Sequence, residues 1–169
     1  MPSSKSVTDV IWTQSRRKRS ELLVRAHVSQ ATRVLFLCES NSCRSQMAEG
    51  ILKALGGGRF EVKSAGAFAS SVHPLAIEVM AELGIDISGQ RSKSLDEFIG
   101  EEFDYVITVC AGHSKDICPF FPGKVKHRLT WAFEDPAEAQ GNEVQRLTVF
   151  RRVRDEIRAA IQQLIAEMT

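Results

Sequence analysis

The spacing of apolar positions changes several times along the chain, and each change predicts an element. Val34-Leu35-Phe36-Leu37 is a short unbroken apolar run followed by Ser and Asn residues, as suits a strand covered on both faces of a parallel sheet. Behind it, Met47, Ala48, Ile51, Leu52 and Leu55 recur at helical spacing until Gly56-Gly57-Gly58 stops them. Residues 60–64 alternate apolar and polar, which predicts a second strand ending at Gly66. His73-Pro74 opens a helix with Ala76, Val79, Met80 and Leu83 on one face and Gly84 as its stop. A third strand is predicted over 105–109, ending at Cys110, and a weaker fourth over 124–129. Leu147, Phe150, Val153, Ile157, Ile161 and Leu164 lie three or four residues apart and predict one long amphipathic helix.

Strands alternating with helices imply βαβ units, so the expected fold is a doubly wound α/β domain: a mostly parallel four-stranded sheet with helices on both faces. At 169 residues and 43% hydrophobic content the chain suits a single core, expected over residues 31–169 in a monomer. Residues 1–30 are expected to be a basic extension outside it. They hold Lys5, Arg16, Arg17, Lys18, Arg19 and Arg25 against Asp9 and Glu21, a net +4, which leaves −3 for the rest of a chain whose formal charge is +1. A domain of that charge has no field favouring nucleic acid. No apolar run approaches the length of a membrane helix and the N-terminus lacks a secretory signal, so the expected compartment is the cytoplasm, with no membrane partner.

A reducing compartment changes how the four cysteines are read. Cys38, Cys43, Cys110 and Cys118 are then core residues, metal ligands or catalysts rather than a disulfide framework, and their spacing does not suit zinc. Cys38 begins the segment Cys38-Glu39-Ser40-Asn41-Ser42-Cys43-Arg44-Ser45, between the first strand and the first helix. In a parallel sheet the loop at that position turns its amides toward a shared point, and the helix N-terminus adds partial positive charge. Arg44 supplies a planar fork for two oxygens of an anion. Amides and guanidinium together favour the thiolate of Cys38 over its thiol. Ser45 can donate to that sulfur, and Asn41 can hold the loop's shape. The residues 39–45 thus form a candidate cradle for a tetrahedral oxyanion. A Cys at a strand end can also be simply buried; the helix dipole aimed at it favours catalysis.

The stretch CESNSCRSQMAEG, Cys38 to Gly50, resembles the phosphate-binding loop of the low-molecular-weight protein tyrosine phosphatase superfamily, and SQMAEG resembles its arsenate reductase branch. Ser64-Ala65-Gly66, Gly84-Ile85-Asp86-Ile87-Ser88 and Asp135-Pro136 recur in the family's order, so the likeness spans about residues 33–165. The resemblance implies that Asp135 protonates the leaving oxygen, a role that needs an acid held beside a buried anion. Arsenate reduction also needs two electrons, so a second thiol must attack the first sulfur. Cys110, at the end of the third strand, is expected to emerge beside Cys38, and Cys118 to release Cys38 by a further exchange. The resemblance implies no bound cofactor and thioredoxin as the electron donor, with glutaredoxin as the competing donor and phosphate or sulfate as competing oxyanions. The span from Cys110 to Cys118 is expected to rearrange, with Gly112 as a pivot.

Some positions depart from the family. Ser40 stands where Gly is usual, Glu39 puts a carboxylate beside the anion site, and seven residues separate Cys110 from Cys118, one more than in thioredoxin-linked members. Ala137 follows Asp135-Pro136 where tyrosine phosphatases carry Tyr. Glu49 matches a carboxylate of a potassium-responsive site in some relatives, but Lys93 stands where those have another acid, so no metal is expected. Cys43 is expected to be passive. Two alternatives stay open: a phosphatase hydrolysing phosphate monoesters, and a non-catalytic oxyanion sensor.

Overall fold

The first apolar run becomes the inner strand of a parallel sheet. In the computed structural model, which describes residues 30–111 and 118–169, the strands are β1 (Thr32–Cys38), β2 (Phe60–Gly66), β3 (Phe103–Thr108) and β4 (Val125–Thr130). Their order is β2-β1-β3-β4, and every pairing is parallel. The basic run 16–19 and Gly112 lie outside the described residues. Residues 31–169 form one compact unit.

With partners on both edges and layers on both faces, β1 is buried from Val34 to Cys38. Alternation sends Val34, Phe36 and Cys38 to one face and Leu35 and Leu37 to the other. The first face carries helices α1 (Arg44–Gly56), α2 (Pro74–Ala81) and α3 (Glu143–Glu167). Cover on the second face is thinner among the described residues. There a 3-10 turn, Leu95–Phe98, brings in Phe98, which packs with Phe103 and Phe121. The expected α/β fold therefore stands, with its α-helical cover concentrated on the side to which Cys38 points.

Two helix ends differ from the periodicity. Leu55 is 39% exposed because Gly56, against which Phe60 packs, closes the last turn of α1. α2 stops at Ala81 rather than running to Gly84: the amides of Leu83 and Ile85 both donate to Met80 O, and Gly84 takes φ 73°. Ile85 packs on the core in the position expected of Leu83. On α3 all six predicted apolar positions are buried, and Asn142 with Gln145 forms a capping box at its start. Arg154 of α3 donates to Val79 O at 2.8 Å and to Glu82 at 2.7 Å, joining it to the C-terminal end of α2.

The chain turns from β1 to β2 on one side and later to β3 on the other, so the crevice for a ligand opens at the carboxyl end of β1. The Val109 amide continues the pairing past β3 by donating to Leu37 O at 2.8 Å. That bond carries Cys110 alongside Cys38, and both belong to the same helix-covered cluster. Among the described residues no helix is long and apolar enough to cross a membrane.

Candidate active site

Every carbonyl from Cys38 to Cys43 is tied to a donor outside the loop's concave side. Cys38 O and Glu39 O accept from the amides of Ala67 and Phe68, both at 3.3 Å. Ser40 O accepts from the hydroxyls of Ser70 (2.9 Å) and Ser92 (3.1 Å), and Asn41 O from Gln46 Nε2 (3.1 Å). Ser42 O accepts from the His73 amide (3.0 Å) and Cys43 O from the Met47 amide (2.9 Å). In a planar trans peptide the N–H points opposite to the C=O, so carbonyls turned outward turn the following amides inward. The Asn41 amide shows the result, donating to Cys38 Sγ at 3.2 Å. The first-turn amides of α1, which a helix cannot pair internally, join the same concavity.

Asn41 is the residue that makes this turn. It has φ 50°, is fully buried, and uses its whole side chain. Its Nδ2 donates to Ser45 Oγ (2.8 Å) and Ser64 Oγ (3.0 Å), while Oδ1 accepts from Gln46 Nε2 and the Lys93 amide, both at 2.8 Å. Ser45 Oγ lies 2.7 Å from Cys38 Sγ. That oxygen accepts from Asn41 and can donate its own proton to the sulfur. Ser64 in turn donates to Glu49, a buried carboxylate.

Two ammonium groups surround Glu49: Lys53 Nζ at 2.5 Å and Lys93 Nζ at 3.7 Å. Lys93 also donates to Arg91 O at 2.7 Å, and burial pulls its pKa below the usual lysine value against the opposing pull of Glu49. The lysine that replaces an acid in the sequence thus places its own cation at this carboxylate. Among the described residues no cluster of His, Cys, Asp and Glu is arranged to hold a metal ion.

Arg44 is 2% exposed and reaches across the loop. Its Nη1 donates to Phe133 O at 3.0 Å, and its Nη2 lies 3.4 Å from Asp135 Oδ2. Asp135 caps the 3-10 turn Pro136–Glu138 by accepting from the Ala137 amide at 3.0 Å. The candidate acid and the candidate oxyanion clamp therefore face each other at the mouth of the cradle. Glu39, Ser40 and Ser42 are half-buried, and the contacts given for the first two come from their backbone carbonyls.

The remaining thiols differ in surroundings. Cys43 precedes α1 and is buried; desolvation, then Asp135, pushes its thiol up to about 12, which suits the passive role expected of it. Cys110 is 1% exposed, and burial, then the hydrogen bond with Cys118, raises its pKa well above the ordinary thiol value. Arg44 opposes that rise and Cys38 adds to it, so Cys110 senses both residues of the cradle. Cys118 is exposed. Cys118 lies close enough to perturb the Cys110 thiol, while residues 112–117, in the span expected to rearrange, lie outside the described residues. Sequence reasoning missed Ser64, Gln46, Ser92 and His73 as supports. Ser64 carried a usable signal, a polar side chain at a buried strand position beside Phe36.

The low molecular weight phosphotyrosine protein phosphatase family model matches residues 33–169. An arsenate reductase of Halalkalibacterium halodurans is 49% identical over 124 residues, covering 73% of this chain and 88% of that protein. A glutaredoxin arsenate reductase of Synechocystis is 42% identical over 137 residues, covering 81% of this chain and 98% of its own length. The solved structure of a thioredoxin-dependent arsenate reductase of Corynebacterium glutamicum superposes with a TM-score of 0.61 at 32% identity, covering 92% of this chain and 71% of that one. With the family model matching residues 33–169, the chain belongs to the low molecular weight phosphotyrosine protein phosphatase family.

Proposed function

We infer that this chain is an arsenate reductase that passes two electrons through Cys38, Cys110 and Cys118. The cradle of inward amides and Arg44 holds the arsenate oxygens while Cys38 thiolate attacks arsenic(V), forming an S–As bond. Asp135 gives its proton to the departing oxygen, which leaves as water. The Cys110 thiol, passing its proton to an oxygen of the departing arsenic, then attacks Cys38 Sγ. The disulfide Cys38–Cys110 forms, the electron pair of the S–As bond goes to arsenic, and arsenite leaves as arsenic(III). Cys118 attacks Cys110 Sγ, which closes Cys110–Cys118 and frees Cys38. A dithiol protein reduces that last disulfide and is itself oxidised; thioredoxin is the donor we assign. A relay of free thiols suits a reducing cytoplasm, where the chain works as a monomer.

The single observation that carries this reading is that Cys110 lies buried in the same cluster as Cys38, with exposed Cys118 near enough to shift its thiol. Hydrolysis has no use for that pair. Arsenite production from arsenate with thioredoxin, thioredoxin reductase and NADPH tests it, beside glutaredoxin plus glutathione. Cys110→Ser should stop after one arsenate adduct; Cys110→Ser with undiminished arsenite turnover would remove the relay. Undiminished phosphomonoester hydrolysis alone, with no arsenite from the wild type, would favour the phosphatase reading.

A further inference from the structure

The segment after Cys118 splits its two aromatic residues between core and solvent. Phe121 is fully buried in the second-face cluster, edge-on to Phe103 with ring centroids 5.5 Å apart. Phe120 beside it is 71% exposed, the most exposed of the large apolar side chains among the described residues. Pro119 and Pro122 flank the pair, and each fixes its own φ. Phe121 thus pins the segment to the sheet, and that anchoring turns Phe120 outward.

Arg128, on the edge strand β4, holds Phe120 from one side. Its Cζ lies 4.6 Å from the ring centroid, and its Nη2 donates to Gly123 O at 3.2 Å. The neighbouring lysines of this edge are paired, Lys124 with Glu102 and Lys126 with Asp104. Arg128 is exposed and meets no carboxylate within ion-pair distance among the described residues. An exposed aromatic ring stacked under a guanidinium is the composition of a binding hot spot.

Geometry says what covers it. A mixed disulfide places the two Cα atoms about 4.4–6.8 Å apart. Two residues of chain span at most about 7 Å. Any protein that bonds through sulfur to Cys118 therefore brings its own backbone close to Phe120. We propose that Phe120, with Arg128 stacked on it, is the docking anchor for the dithiol protein that reduces the Cys110–Cys118 disulfide. The partner surface it fits is an apolar patch around a reactive thiol, edged by a carboxylate or carbonyl that accepts from Arg128. This inference rests on the three-thiol reading above.

The experiment compares full-length wild type, Phe120→Ala and Phe120→Tyr in three assays. These are arsenite released in a single turnover without reductant, steady-state turnover with dithiothreitol, and steady-state turnover with thioredoxin, its reductase and NADPH. The expected result is an unchanged single turnover and dithiothreitol rate for both variants, with kcat/KM for thioredoxin falling about tenfold in Phe120→Ala, carried by KM, and kept within about threefold in Phe120→Tyr. An unchanged thioredoxin KM in Phe120→Ala overturns the anchor and leaves the relay standing. Absence of thioredoxin-supported turnover in the wild type, with its single turnover intact, also overturns the anchor. Absence of the wild-type single turnover overturns the relay and the anchor with it.

Discussion

Asn41 Nδ2 donates to Ser45 Oγ at 2.8 Å, and that hydroxyl lies 2.7 Å from Cys38 Sγ. An ionised Cys38, as the proposed attack requires, can only accept, so in that state the Ser45 hydroxyl donates to the sulfur. A hydrogen bond to an ionised group contributes about 1.5–3 kcal/mol, so its loss should slow reactions of the thiolate roughly ten- to a hundredfold at neutral pH. Ser45→Ala is expected to lower the rate of Cys38 alkylation by iodoacetamide, and of arsenate adduct formation, by that range. The thermal midpoint should also fall, because removing the hydroxyl takes one acceptor from the buried Asn41 amide. Equal alkylation rates for wild type and variant would mean that the sulfur takes its stabilisation from the amides alone.

Gly66 ends β2 against the back of the cradle. A Cβ there would meet Asn41 N, Glu39 O and Phe68 O, each at 2.7 Å, and all three are backbone atoms that no rotamer change can move aside. Gly66→Ala must therefore shift the loop that turns the amides inward. The expected outcome is sulfate or phosphate affinity at least tenfold weaker by isothermal titration, with stability reduced by about 1–3 kcal/mol in urea. Sulfate binding at wild-type strength would show that the amides are positioned without this contact.

Much of this architecture could be read from the chain, for reasons that vary by residue. Val34 to Leu37 read as an inner strand because burial on two faces leaves no polar position, and α3 read as one helix because all its core contacts come from one stripe. The candidate cradle could be assembled from the chain because Cys38, Arg44 and Ser45 are local in sequence. Its supports could not. Ser70, His73 and Ser92 reach the loop carbonyls across separations of 30 or more residues, and a distant hydroxyl or amide leaves no periodic trace. Leu83 and Leu55 were misplaced because a helix face does not announce the turn at which it stops.

Cys43 links burial to alkaline stability. Its thiol is held up to about 12 in the folded protein against an ordinary value of 9.0. The folded state keeps its proton where the unfolded state loses it, so the associated stability is complete below pH 9 and is lost as pH rises from about 9 toward 12. The slope is about 1.4 kcal/mol per pH unit, which amounts to roughly 2 kcal/mol by pH 10.5. Urea midpoints measured from pH 8 to 10.5 should fall more steeply for the wild type than for Cys43→Ala, although the variant starts lower because it leaves a small cavity. Parallel curves would show that the Cys43 thiol titrates normally.

In the proposed reaction Asp135 and the incoming oxyanion compete for the same guanidinium. At rest, Arg44 Nη2 lies 3.4 Å from Asp135 Oδ2, so an anion entering the cradle draws the guanidinium away from the carboxylate. Asp135→Asn keeps the acceptor that caps the 3-10 turn through the Ala137 amide, but removes both the negative charge and the transferable proton. The two losses act in opposite directions. Sulfate should bind the variant at least as tightly as the wild type, since Arg44 loses its resident partner. Adduct formation with arsenate, followed by single-turnover loss of free thiol, should slow by about a hundredfold or more, the usual contribution of a positioned general acid. A global defect would weaken both measurements together. Tighter or equal sulfate binding with an unchanged adduct rate would instead mean that water supplies the proton and that Asp135 serves only to hold Arg44 in place.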